Sequence, residues 1–307
     1  MRSCREAYGM ALVELKKKCP QLVVLDADLA EATYTKFFRD AYPDDFFDCG
    51  IAEQNMMAVA AGLSTTGLIP FVSTFAVFAT LRASEQFRNS VCYPELNVKV
   101  AATHAGIECG ADGATHQALE DLAVMRTIAK STVLVPADAV ATRALVFEAA
   151  AIDGPVYLRM GREKLPEIYK EGEIFKKGGS KCLRKGSDLA LLACGSRVKT
   201  ALDASALLEE SGIHASVYDL YSVKPLDTRA IAEAMRTGLI VNIEDHQRNG
   251  GKGSAVCEAV CESGACRVIR VGIDNSFGRS GAFSELEKIY GIDALSVVKT
   301  CRSALDA

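Results

Sequence analysis

A single carboxylate, Glu53, stands at the mouth of the small-residue, Met-rich stretch "DCGIAEQNMMAVAAGLS", residues 48–64. An acid in a first helical turn sits well against the positive end of the helix dipole. A carboxylate at the entrance of an otherwise apolar segment is also suited to hold or share a proton with a bound ring. The stretch by itself leaves both readings open. A second concentration of chemistry is "THAGIECGADGATHQALED", residues 103–121, which gathers His104, Glu108, Asp112 and His116, two of the four histidines in the chain. Its glycines permit close backbone approach to a ligand. Histidine and aspartate are metal ligands, but these histidines are twelve residues apart on a Gly-rich loop, without the tight pairing of a zinc site. Polar side chains satisfying turns are the other account of the same loop.

Three further stretches invite chemistry. In "PFVSTFAVFATLRASEQFRN" (70–89), Phe75 and Phe78 follow a strand-like run and could offer an aromatic face to a planar ligand. Core packing would equally explain two phenylalanines three apart. Arg159 and Arg162 close "YLRMGREKLPE", where a guanidinium at a strand end suits a phosphate or carboxylate; a solvated surface charge is the alternative. Gly251, Gly253 and Ser254 in "EDHQRNGGKGSAVCEAV" resemble half of a dinucleotide fingerprint. Val256 stands where the third glycine is needed, so a tight strand-to-helix turn is the preferred reading.

The elements that must position these residues follow from hydrophobic period. Apolar runs at Leu22–Asp28, Pro70–Phe75, Asn97–His104, Thr132–Asp138 and Pro155–Met160 predict strands. Helical patterns at Ser84–Cys92, Leu119–Ile128 and Val140–Ala151 alternate with them. Near-continuous apolar strands separated by helices predict an α/β fold with a mostly parallel sheet covered on both faces. The charged, glycine-containing stretch Leu165–Asp188 breaks the pattern and reads as a connection. A second alternation follows, with helices expected at Val198–Ser211, Ala230–Thr237 and Ser254–Cys261. The expected organisation is therefore a first domain at 1–165, a linker at 166–187 and a smaller α/β domain at 188–307. In open α/β sheets ligands bind beyond the carboxyl ends of strands, where these candidate loops fall.

Composition narrows the classes. With 307 residues, 49% hydrophobic, 24% charged and a net charge of −4, the chain can support two cores and carries no basic signature for nucleic acid or an anionic membrane. Its first residues are too polar for a secretory signal, and no run is long and apolar enough to span a bilayer. Eleven cysteines are an odd number without disulfide spacing. Cys257, Cys261 and Cys266 form no C-x-x-C unit, so no metal site is expected and a reduced, cytoplasmic protein is.

Taken in order, "DADLAEAT", "DCGIAEQNMMAVAAGL", "PFVSTFAVF", "THAGIECGADGATHQALEDLAVMR", "VLVPAD" and "LRMGREKLPE" resemble the transketolase family of thiamine diphosphate enzymes, from Arg5 to "FGRSGAFSELEKIYG". The matching half is the one that carries a pyrimidine-binding domain and a C-terminal domain. The resemblance implies that Glu53 binds N1′ of the cofactor's aminopyrimidine, helping its 4′-nitrogen to take the thiazolium C2 proton. It also implies that Phe78 stacks on that ring, with Phe75 lining the pocket and Asp28 nearby. His104, Asp112 and His116 would face the sugar hydroxyls, and Arg5 and Arg162 the distant phosphate; His104 and His116 would also serve proton transfer.

Two departures qualify that implication. Ala32 stands where the family has a serine on the substrate phosphate, with Thr33 beside it. No Gly-Asp-Gly motif followed by asparagine, the family's Mg²⁺–diphosphate signature, occurs in the chain. The resemblance therefore implies the C-terminal (β) subunit of a split transketolase, with an N-terminal (α) subunit supplying Mg²⁺ and the diphosphate half in an α2β2 assembly. Thiamine diphosphate would be shared between the subunits, and the reaction would move a two-carbon ketol unit between sugar phosphates. The β subunit of a 2-oxoacid dehydrogenase, a deoxyxylulose-phosphate synthase-like half and a non-catalytic scaffold are the alternatives.

Overall fold

A computed structural model describes residues 1–306. Seven strands form the first sheet, in the order Ser222–Lys224, Thr132–Leu134, Val156–Arg159, Lys99–Thr103, Ile69–Phe75, Leu22–Asp26 and Phe46–Asp48. All neighbours are parallel except the first pair. The strand Leu22–Asp26 shows why both faces must be covered. Leu22 and Val24 pack into one core with Tyr8, Leu12 and Leu15 of helix Cys4–Lys16 and with Leu145 and Val146 of helix Ala139–Ala151. Val23 and Leu25 pack into the other, with Met56, Met57 and Ala60 of helix Glu53–Ser64. A strand apolar at every position needs an apolar partner on each side, which parallel crossovers supply.

The second sheet runs Arg267–Ile273, Leu239–Gln247, Leu189–Ala193, Ala215–Asp219 and Lys181–Arg184, with the last strand antiparallel. Its alternate residues divide in the same way. Leu189 and Leu191 join the core that runs on from the first domain, while Ala190 and Leu192 meet Val256 and Val260 of helix Lys252–Ser263. The core is thus continuous between the two sheets.

Two details depart from the sequence reading. The charged connection carries a strand of its own, Lys181–Arg184. Residues 222–224, well beyond it, return to pair with Thr132–Leu134 at the edge of the first sheet. Neither strand exceeds four residues, so no alternation marks it. Asp138, expected to end a strand, instead caps helix Ala139–Ala151 by accepting from Ala141 N at 2.7 Å.

Candidate functional site

The site is assembled at the C-terminal ends of the central strands, where the first-domain loops leave the sheet. Helix Glu53–Ser64 begins at the carboxylate itself, and Glu53 is buried. None of its own helix amides donates to the side chain; Arg82 does, through Nη1 to Oε2 at 2.7 Å. The Arg82 guanidinium also lies 4.5 Å over the Phe78 ring. Sequence reasoning missed Arg82, although its position four residues after Phe78 on a helical stretch was the available signal.

Strand Ile69–Phe75 delivers Phe75 and the following turn delivers Phe78, and the two rings stack with centroids 5.8 Å apart and planes 7° from parallel. Phe75 stacks on His104 at 3.8 Å, and the edge of His116 meets Phe78 at 5.4 Å. Four aromatic rings from two loops therefore form one wall. His104, the residue after strand Lys99–Thr103, holds the left-handed backbone conformation (φ 58°), which is uncommon outside glycine. Its Nδ1 lies 2.8 Å from Thr103 Oγ1. Burial, then the cations Arg5 and Arg162 and the neighbouring His116, push its pKa down to about 3, so the ring is neutral at ordinary pH. His116 is only half-buried and pairs with Thr115 Oγ1 at 2.9 Å.

The two arginines expected to recognise phosphate lie side by side. Arg5 Nε donates to the Arg162 carbonyl at 3.2 Å and its Nη1 to the Ala32 carbonyl at 2.7 Å, with the guanidinium 5.1 Å over Tyr34. Arg162 Nη1 donates to the Cys109 carbonyl at 2.8 Å and reaches the exposed Asp112 carboxylate at 3.5 Å. Burial, and the repulsion of Arg162, pull the Arg5 pKa below its ordinary value despite the nearby Tyr34. Where Ala32 removes a hydroxyl, Thr33 does not restore one at the surface: it is buried, and its Oγ1 donates to Asp26 Oδ2 at 2.8 Å.

Asp28 is exposed, and its carboxylate makes no hydrogen bond or ion pair among the described residues. Its amide and that of Gly50 both donate to Asp48 Oδ1, at 3.1 and 2.9 Å, which ties the Asp28 turn to the turn before Glu53. The buried acid of this loop is Asp26, a residue the sequence reading passed over. It accepts from Leu29 N, Thr33 and Thr35, and burial lifts its pKa to about 6.

Two other candidates resolve structurally. The apparent phosphate cradle at Gly251 and Gly253 is filled from within: Gly253 N donates to Glu244 Oε1 at 2.9 Å. A Cβ on Gly251 or Gly253 would come within 2.6 Å of that carboxylate, which accounts for both glycines. All eleven cysteines are free, and among the described residues no three or more histidine, cysteine, aspartate or glutamate side chains gather as a metal site would require.

Comparison with known proteins agrees with this architecture. Residues 1–167 match the transketolase pyrimidine-binding domain family, and residues 178–297 match the transketolase C-terminal domain family. A protein of Methanocaldococcus jannaschii named as a transketolase C-terminal section is 45% identical over 301 residues, 97% of this chain and 95% of that one. Human transketolase is 37% identical, over 98% of this chain but 49% of its own length. A solved structure described as a split-gene transketolase, an inactive β4 tetramer, superposes with a TM-score of 0.93 at 49% identity, covering 100% of this chain and 99% of that one. The two α/β domains and the loops they display thus define a transketolase-type chain. It belongs to the transketolase family.

Proposed function

We propose that this chain is the C-terminal (β) subunit of a split transketolase and forms its active site together with an N-terminal subunit. The observation that carries the proposal is the convergence of Glu53, Phe75, Phe78, His104 and His116 on one wall beside the paired arginines. The seat fits an aminopyrimidine. The Arg82 guanidinium, a flat hydrogen-bonding group, already lies across Phe78 while bonded to Glu53, the two contacts such a ring would make. Exposed apolar side chains flank it in sequence: Phe47 and Ile51 before Glu53, and Leu81 next to Arg82, which suits a surface covered by another chain.

In this reading Glu53 binds the aminopyrimidine and Phe78 holds its face, with Phe75 behind. Mg²⁺ and the diphosphate end fall to the partner subunit. When bound, thiamine diphosphate supplies a carbon nucleophile for breaking and making the C–C bond. Neutral His104 can accept or donate a proton at a sugar hydroxyl without bringing a charge into a buried site. His116, half in solvent, is placed to pass that proton onward, and Asp112 orients hydroxyls beside it. Arg5 and Arg162 hold the substrate phosphate, and their fixed spacing selects chain length. Transfer of a two-carbon ketol unit between sugar phosphates, in an α2β2 assembly of the cytoplasm, is the activity this arrangement supports best.

The test mixes this chain with an N-terminal transketolase section, thiamine diphosphate and Mg²⁺, and assays ketol transfer from xylulose 5-phosphate against pyruvate decarboxylation. Ketol transfer is expected only in the mixture, and Glu53→Gln should abolish it while leaving the subunits associated. Full activity of the pure chain alone, or of the Glu53→Gln mixture, would defeat the proposal. Pyruvate turnover would point instead to a 2-oxoacid dehydrogenase.

A further inference from the structure

The loop that carries His104, Asp112 and His116 belongs to the first domain, but it is strapped down by the second. Asp245, on strand Leu239–Gln247, accepts from the Ile107 amide through Oδ1 at 3.0 Å. Its other oxygen, Oδ2, is buried and has no hydrogen-bond partner among the described residues. That oxygen lies against Gly106, where a Cβ would come to 2.1 Å from it; Gly106 also has φ 72°, which a side chain resists. Loop and carboxylate are therefore fitted to each other at two consecutive residues.

Asp245 is itself fixed from the first domain. Its carbonyl accepts from Arg159 Nη2 at 2.9 Å, and Arg159 is clamped to Asp121 at 2.6 Å. Around this centre, Gln247 N donates to the Leu119 carbonyl at 2.8 Å, and Gln117 Nε2 donates to the Arg279 carbonyl at 3.0 Å. The bonds of Asp245, Gln247 and Gln117 cross between the domains, and among the described residues Asp245 is the second-domain side chain that bonds the backbone of the loop between His104 and Asp112. His104 needs such an anchor, because its left-handed backbone persists only where neighbouring structure holds it. Burial raises the Asp245 pKa against the pull of Arg197 and Arg159, so the carboxylate is not retained for comfortable solvation.

We propose that Asp245 is a positioning residue for sugar-phosphate binding: it fixes the backbone at Gly106 and Ile107, and thereby the aim of His104 and Asp112. The proposal rests on the reading of that loop as the sugar-binding loop. It gives the second domain a defined part in the site, through the backbone of a first-domain loop.

The test uses the reconstituted two-subunit complex. Asp245→Ala should raise the KM for xylulose 5-phosphate at least tenfold, with the thiamine diphosphate Kd within twofold of wild type. Asp245→Asn, which keeps an acceptor for Ile107, should restore KM to within threefold. Gly106→Ala should reproduce the Asp245→Ala defect. Hydrogen exchange in the free, folded chain should quicken at residues 105–112 in Asp245→Ala and stay unchanged in helix Glu53–Ser64, a readout that survives loss of activity. Unchanged KM and exchange, or a KM and cofactor Kd that rise together without rescue by asparagine, would overturn the proposal. His104→Ala is the control: if it too leaves KM unchanged, the sugar-loop assignment has failed, whereas a raised KM there with a silent Asp245→Ala rejects Asp245 alone.

Discussion

Arg82 donates to the buried carboxylate of Glu53 at 2.7 Å while spreading its guanidinium over Phe78. The pair joins a buried acid to a cation that is half in solvent, with 46% of the Arg82 side chain exposed. A half-exposed ion pair contributes at most about 1 kcal/mol. Any planar group that enters the seat must displace the guanidinium from the ring, and must share Glu53 with it or take its place. Arg82→Met should therefore tighten thiamine diphosphate binding by up to about fivefold in the reconstituted complex, measured by calorimetry. Weaker binding would mean that Arg82 holds Glu53 in place for the cofactor.

A second ion pair governs stability. Arg159 and Asp121 are both buried and meet through two hydrogen bonds, at 2.6 and 3.1 Å, with Tyr157 adding a third to Asp121 at 2.9 Å. Removing one partner strands the other's charge in the core. Asp121→Ala should cost about 3–5 kcal/mol, measured by denaturant unfolding, and Asp121→Asn less, because an acceptor remains. A loss under about 1 kcal/mol would show that water reaches Arg159 in the variant.

How far the sequence carries can be seen in particular residues. Phe75 and His104 lie at or next to the carboxyl ends of apolar strands, where strand period and the rule for open sheets put them. Arg159 also ends a strand, but it is buried and paired with Asp121, so it is neither free for a phosphate nor a solvated surface charge. The start of the helix at Glu53 was equally legible from the change of pattern. Asp245 was not, since its meaning lies in Ile107, 138 residues away. Lys99 is harder still. A lysine inside "NVKVAATH" reads as polar alternation, but it is buried and its ammonium donates to the Ile152 and Gly154 carbonyls at 2.6 Å. The pairing of Ser222–Lys224 with the first sheet has the same cause. Local period specifies an element, whereas partners across the chain are set by packing.

His104 carries a pH signature. Its pKa is pushed down to about 3 in the folded chain and relaxes to an ordinary 6.5 on unfolding. The unfolded chain therefore takes up a proton that the folded chain refuses, and this residue's share of stability is lost as pH falls below 6.5. Between pH 6.5 and 5 the loss should be about 2 kcal/mol. His104→Asn removes it. Nitrogen-15 NMR should show a neutral imidazole throughout that range, and a ring titrating near pH 6 would contradict the burial argument.

Glu108, four residues on in the same loop, has the opposite slope. Burial, reinforced by Asp245, lifts its carboxyl from 4.5 to about 7, against the pull of Ser196 and Arg197. Between those values the folded chain keeps a proton that the unfolded chain has released, so stability falls as pH rises, by an amount on the order of 3 kcal/mol. From pH 4.5 to 6.5 the two residues therefore oppose each other, and their combined contribution should be nearly flat in the wild-type chain. Single variants should separate them: Glu108→Gln leaves the histidine term, and stability climbs with pH, whereas His104→Asn leaves the carboxyl term, and stability declines. Urea midpoints taken at half-unit pH steps measure both slopes. Parallel curves for wild type and the two variants would show that neither group is shielded from water as the fold requires.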